Sequence, residues 1–185
     1  MLSKQGWHIM HNADLLISQC LKARYFPRSN FLKASTGYCP NYTWRSILQA
    51  RVDVIEKAGN WRVGDGRLIN VWEDNWLPYQ IGYKIWSPKP PNCDIMFVSD
   101  LIHHDIRCWN APLINEIFLP FEAQQILQLP ISFSQLQDEF VWGASRSATF
   151  SVKSSYHFLK ARREVDGSYS SSKTKITKCG KNYGK

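Results

Sequence analysis

The sequence predicts an α+β fold of short helices and two β-hairpins, followed by a disordered basic C-terminal tail. Three observations predict it. Apolar residues recur at helical spacing in short windows that end at proline or glycine. Residues 59–78 and 140–152 instead carry strand-forming residues on either side of a glycine-containing turn. From about Arg162 the chain turns charged and serine-rich, ending SYSSSKTKITKCGKNYGK, with little that could enter a core. A chain of 185 residues, 44% hydrophobic and 14% aromatic, is long enough for one packed domain and a tail.

Taken in order, Asn12 can cap a helix from Ala13 to about Arg24, with Leu16, Cys20 and Ala23 along one face, until Pro27 stops it. Phe26, Phe31 and Leu32 then form an aromatic loop. A second helix runs from Asn41 or Thr43 to Lys57, its stripe made of Trp44, Ile47, Leu48, Arg51, Ile55 and Ala58. Arg51 can bury its methylenes there and expose its charge. Gly59 fits the stop as a residue of left-handed backbone. The stretch GNWRVGDGRLINVWEDNWLP (59–78) follows as a tryptophan-rich hairpin, with Gly64-Asp65-Gly66 as its turn and Trp61 sharing a core with Trp44.

Beyond it, Pro88, Pro90 and Pro91 make an irregular connection. Ser99 can cap a short helix through Ile102. Asn110 and Pro112 open a helix carrying Leu113, Ile114, Ile117 and Phe118, and Pro120 opens another carrying Phe121, Ala123, Ile126 and Leu127, broken by Pro130. The second hairpin pairs Phe140 and Trp142 with Phe150 and Val152, and Ser151 caps a last helix with Tyr156, Phe158 and Leu159. The organisation expected is a helical segment 1–58, the hairpin 59–78, a connector 79–149 and a final region 150–185, its tail disordered from about residue 162.

The net charge of +8 is terminal. The first fifty residues carry six Lys/Arg against one acid, residues 51–159 nine against twelve, and residues 160–185 eight against two. That distribution favours a polyanion partner, RNA or DNA, through salt-sensitive, sequence-blind attraction. Lys22, Arg24, Arg28 and Lys33 interleave with Phe26 and Phe31, the pattern of a surface that neutralises phosphates and stacks bases, although a solvated basic edge around core rings is the better account. Arg62 and Arg67 beside the hairpin turn join them as candidate contacts.

Catalytic chemistry finds no constellation. Glu73-Asp74 and Asp138-Glu139 are adjacent pairs whose members point opposite ways, read as solvated turns. Walker loops, nucleophile elbows and H-E-x-x-H are absent, and a lone Gly-x-Gly is a weak phosphate loop. Cys93, His103, His104 and Cys108 could suit zinc chemically, but their spacing favours buried free cysteines and surface histidines. His8 and His11 weigh less. No metal, cofactor or enzyme activity is expected.

Five cysteines without a Cys-x-x-Cys pair fit a reducing compartment. No apolar run approaches the roughly 18 residues of a membrane span, and the N-terminus lacks a secretory pattern. An intracellular protein, nuclear or cytoplasmic, with no membrane partner is expected.

WRVGDGRLINVWEDNWLP resembles a segment of plant non-LTR (LINE-type) retrotransposon polyproteins that lies after the reverse transcriptase and runs into the reverse transcriptase zinc-binding domain. KARYFPRSNFLKA (22–34) and YTWRSIL (42–48) precede it in the family's order, and WNAPLINEIF (109–118) and FSVKSSYHFL (150–159) follow. The resemblance spans roughly Gln5 to Lys160. It implies a non-catalytic connector whose partners in the parent are the reverse transcriptase and RNase H domains, with the zinc-binding domain starting near Phe150. The catalytic carboxylates of both enzymes belong to stretches outside these blocks, so none is carried over. The zinc ligands belong to a later Cys-x-x-Cys and His/Cys segment, where this chain has only Cys179. A frameshift or premature stop in an old element is the expectation, tested by sequencing past Lys185 in the other frames. The family usually has glycine where this chain has Ala148, which predicts a strained or shifted turn. The alternatives to a connector are a protein-interaction scaffold or functionless remnant, and, requiring acidic clusters this chain lacks, an RNase H or reverse transcriptase enzyme.

Overall fold

The computed structural model describes residues 2–78, 84–103, 105–131 and 136–164. Its class is α+β, short helices with two two-stranded antiparallel sheets. The helices come largely where local signals put them. Asn41 accepts from the Trp44 amide at 2.8 Å and starts α3 (Tyr42–Ala50), which buries Trp44, Ile47 and Leu48. The helix continues through a π-helical stretch (Arg51–Ile55) into α4 (Glu56–Ala58), with Ile55 and Ala58 buried as the stripe requires. Asn110 caps α5 (Ala111–Ile117) by accepting from Leu113, Pro120 opens α6 (Pro120–Gln128), and Ser151 accepts from Ser154 at 3.0 Å to begin helix α7 at 152–164. That last helix includes Arg162 and Arg163, so order reaches past the point where the tail was expected to begin. The rest of the tail lies outside the described residues.

The N-terminus departs from expectation. Residues 2–11 form a helix of their own, α1 (Leu2–His11), and α2 begins later, at Leu16–Tyr25. The face of α2 expected to be inward is outward: Leu16 is 76% exposed and Cys20 is exposed, whereas Ser18 and Tyr25 are buried. It is α1 that packs on α3 and the π stretch, with its Ile9 in the core around Trp44. Of the four described cysteines, Cys20, Cys39 and Cys108 are exposed, not buried, and none is in a disulfide.

Strand pairing is the larger correction. Strand β1 (Gly59–Arg62) does not fold back on Leu68–Trp72. It pairs antiparallel with β4 (Glu139–Trp142), Gly59 opposite Trp142 and Arg62 opposite Glu139. The first strands of the two expected hairpins therefore pair with each other. β1 enters the sheet with Gly59 extended at φ −92°, not left-handed. Ile69 and Val71 instead run beside residues 96–98, with Val71 N–H donating to Met96 O and Val98 N–H to Ile69 O. Val152 lies inside α7. The second sheet is a small hairpin of β2 (Ile102–His103) and β3 (Cys108–Trp109), fed by a 3₁₀ turn (Val98–Leu101) whose Asp100 accepts from the Met96 and Phe97 amides. Among the described residues no helix is long and apolar enough to cross a membrane.

Three clusters form the interior. In the N-terminal lobe, Tyr25 and Phe26 stack on Trp44 at 4.7 and 5.6 Å and Phe31 meets it edge-on at 6.2 Å, with Phe140 and Trp61 closing the far side. Trp44 and Trp61 thus share a core as expected. A second cluster joins Ile69, Val71, Trp76 and Leu77 to Val98, Leu101, Ile114, Phe118 and Ile126. In the third, which shares Trp7 with the first, Trp142 with Val54 and Ala58 meets Trp7, Phe150, Phe158 and Leu159, attaching α7 to the body.

Candidate nucleic-acid interface

The basic stretch 22–33 is shaped by what its aromatic residues do. After α2 the chain turns and enters a 3₁₀ turn (Phe31–Lys33), started by the Asn30 carboxamide oxygen accepting from Lys33 N–H at 2.9 Å. Phe26 and Phe31 point inward onto Trp44 and keep only 5% and 3% of their surface exposed. They are core residues, so base stacking is closed to them. Arg51 fixes the stretch from below, donating to Phe31 O at 2.8 Å and Ala34 O at 2.7 Å, with Nε 2.9 Å from Glu56. Burial pulls this guanidinium below its ordinary pKa, against the opposing pull of Glu56. With the rings inward, Lys22, Arg24, Arg28 and Lys33 are left at the surface.

Two adjacent grooves open at the seam between the lobes and share Asn30, Leu32, Trp61, Leu68 and Phe140. The smaller, about 460 Å³, has Lys22 on its border. The larger, about 940 Å³, has Lys33 and Lys84 beside Glu73 and Asp74. Arg24 and Arg28 belong to neither lining. Arg62 faces Glu139 at 2.8 Å across the β1–β4 ribbon, and Arg67 Nε lies 4.0 Å from Asp65. The structure therefore brings Lys22 and Lys33 to one seam, and gives both hairpin arginines an acidic neighbour that must be displaced or shared when phosphate is bound.

The Gly64-Asp65-Gly66 loop does cradle an anion, and the anion is the chain's own. Asp138 Oδ1 accepts from Gly64 N–H at 2.8 Å and Gly66 N–H at 2.9 Å, and its Oδ2 accepts from Leu68 N–H at 2.8 Å. Three convergent amides around one carboxylate form an anion nest. The glycines are required by contact: a Cβ at Gly64 would fall 2.2 Å from Leu136 O, and one at Gly66, where φ is +75°, 2.5 Å from the Ser99 nitrogen. Asp138 is 7% exposed and is not the solvated turn residue expected. A signal was available, because Asp138 shares period-two parity with the inward ring of Phe140. Its neighbour Glu139 points the other way, to Arg62, as adjacent strand residues should.

The remaining carboxylates are structural in the same manner. Glu122 is fully buried on α6 and accepts from Trp86 N–H at 2.6 Å, Ser87 N–H at 3.1 Å and the Ser87 hydroxyl, which in turn accepts from Leu119 N–H at 2.8 Å. Its i, i+4 position beside apolar residues gave no hint of this. Asp74 accepts from Asn70 N–H at 2.7 Å; burial raises its carboxyl above the usual range, with that hydrogen bond pulling the other way. His103 stands opposite Cys108 in the β2–β3 pair. Among the described residues no three His, Cys, Asp or Glu side chains gather as a metal site, and His104 lies outside those residues. His11 Nε2–H donates to Phe140 O at 2.9 Å and serves the scaffold.

Two known proteins of Arabidopsis thaliana are similar to this chain. An uncharacterised mitochondrial protein is 38% identical over 91 residues, which is 49% of this chain and 54% of that protein. A protein named "Putative ribonuclease H protein" is 25% identical over 165 residues, 86% of this chain and 26% of its own length. The chain thus matches about half of one relative and about a quarter of the other. No family model and no solved structure matches it.

Proposed function

We propose that the chain is a non-catalytic connector from a plant retrotransposon polyprotein, carrying sequence-independent affinity for RNA or DNA on its N-terminal lobe. The observation that carries the reading is the use made of the carboxylates. Asp138, Glu122, Asp100 and Asp74 each hold backbone amides, and Glu139 faces Arg62. Acids engaged in this way hold the fold together and are poorly placed to gather two divalent ions for strand cleavage. The similarity to a far longer protein named for ribonuclease H supports a parent with that module elsewhere, and the blocks quoted above support the position between reverse transcriptase and the zinc-binding domain. Lys22, Arg24, Arg28 and Lys33 neutralise phosphates; Arg62 and Arg67 add to them where their acids can be shared.

Binding of short single-stranded and duplex RNA and DNA against salt concentration tests this, for the whole chain and for one ending at Glu164. Affinity retained without the tail is expected, with a salt slope that drops by about 0.7–0.9 for each contacting residue changed to Gln among Lys22, Arg24, Arg28 and Lys33. Binding that disappears with the tail would instead mark a plain polycation. A second reading, a protein-interaction scaffold, is favoured by Leu15, Leu16 and Ile17, exposed by 43, 76 and 53% in one run. Self-association that is abolished by Leu16→Lys would support it.

A further inference from the structure

The rings that the sequence offered for base stacking are buried, yet the same lobe exposes two others. Tyr38 is 95% and Tyr42 86% exposed, more than any other large apolar or aromatic side chain described. Tyr38 hangs from the loop that precedes α3 and Tyr42 opens α3 itself, and both segments adjoin Tyr25. The Gly37 backbone stands against that ring, where a Cβ would lie 3.6 Å from Cδ1, and the Asn41 amide donates to the Tyr25 hydroxyl at 3.4 Å. Tyr25 is rigid in turn, 7% exposed and stacked on Trp44. The Arg24 guanidinium lies 5.3 Å from the centroid of the same Tyr25 ring, and exposed Arg45 follows Tyr42 by three residues on one face of α3. The end of α2, the Tyr38 loop and the start of α3 therefore meet at one buried ring, and together they bear two outward tyrosines and two arginines.

The backbone of this loop is held in an uncommon form. Gly37 and Cys39, on either side of Tyr38, have φ of +71° and +48°, the second a conformation that disfavours any residue with a Cβ. Such strain persists where the surroundings enforce it, and Tyr38 stands outward between the two positions. Rings left in water on a lobe whose first fifty residues carry six basic residues and one acid suit a polyanion that also presents flat faces. Bases are accessible for stacking only when unpaired.

We propose that Tyr38 and Tyr42, flanked by Arg24 and Arg45, form the base-stacking platform for single-stranded nucleic acid. The proposal rests on the nucleic-acid reading above and assigns its aromatic contacts. Fluorescence anisotropy of labelled single-stranded and duplex RNA with the full chain tests it. Tyr38→Ala and Tyr42→Ala should each weaken single-strand binding about 5- to 150-fold, the range for losing one stacked base, and the pair together more, while the salt slope and the duplex affinity stay unchanged. Tyr38→Phe/Tyr42→Phe should bind like the parent, because it keeps the π-faces. The assignment is overturned if the alanine pair binds as the parent does, if the phenylalanine pair is equally weak, or if the alanine pair changes only self-association in light scattering. A parent chain that binds neither form at low salt would overturn the nucleic-acid reading itself, a result separable from the others.

Discussion

The N-terminal lobe and the lobe of residues 69–129 satisfy their buried backbone by opposite charges. In the first, a cation serves carbonyls: Arg51 reaches under the aromatic stack to Phe31 O and Ala34 O. In the second and at its border, anions serve amides, with Glu122 beneath Trp86 and Ser87, Asp100 at Met96 and Phe97, and Asp138 at Gly64, Gly66 and Leu68. The consequence is electrostatic. Acids are drawn into the structure of the second lobe and its border, and the helical lobe, with one acid among its first fifty residues, presents basic residues to solvent. Its rings are divided likewise, flat core rings inside and Tyr38 and Tyr42 outside.

The largest test of this contrast is Trp44→Ala, which removes the fully buried ring on which Tyr25 and Phe26 stack. A loss of about 3–5 kcal/mol is expected from urea unfolding. A cost under 1 kcal/mol would show that the aromatic stack is not what holds the lobe. Asp138→Ala follows, leaving three amides without their acceptor; about 3 kcal/mol is expected, with Asp138→Asn in between because its oxygen can still accept. Equal stability of Asp138→Ala and the parent would break the claim that anions organise this half.

The smaller tests sharpen it. Ala148 has φ +55°, bearing out the strain expected from an alanine where glycine is usual. Ala148→Gly should stabilise by about 0.5–1 kcal/mol, read as a rise in Tm. Asp74→Asn gives the smallest effect and a defined pH dependence. Because burial raises the folded-state pKa of Asp74 above its unfolded value, the charged carboxylate costs stability at neutral pH. That cost fades as pH falls through the raised pKa toward the ordinary carboxylate value. The asparagine variant should therefore gain over the parent at pH 7 and lose its advantage near pH 3.5, measured as the difference in Tm. An advantage that grows on acidification would contradict the shift.

Features written in neighbouring residues were legible beforehand. Asn41, Asn110, Pro112, Pro120 and Ser151 start helices because a cap or a fixed φ acts on amides two or three residues away. The stripe of α3 survives even through its π-helical stretch, which no pattern announced and which accompanies the buried reach of Arg51. In the stretch 22–33 the sequence left two readings of Phe26 and Phe31, core rings under a solvated basic edge or rings open to bases, and the structure has the first: periodicity cannot tell an aromatic loop that inserts from one that stays out.

What the sequence by itself determined is therefore the α+β class, the helix starts and the charge asymmetry, all set by local hydrogen bonding, side-chain spacing and composition. Only the tertiary structure decided that β1 pairs with β4, that Asp138 fills the Gly-Asp-Gly nest, and that Phe26 and Phe31 are buried while Tyr38 and Tyr42 are not. The reason is physical. A strand's unpaired amides and carbonyls accept any partner that brings apolar cover, and a nest of amides accepts any anion of the right reach, so the choice depends on which distant segment the rest of the packing delivers.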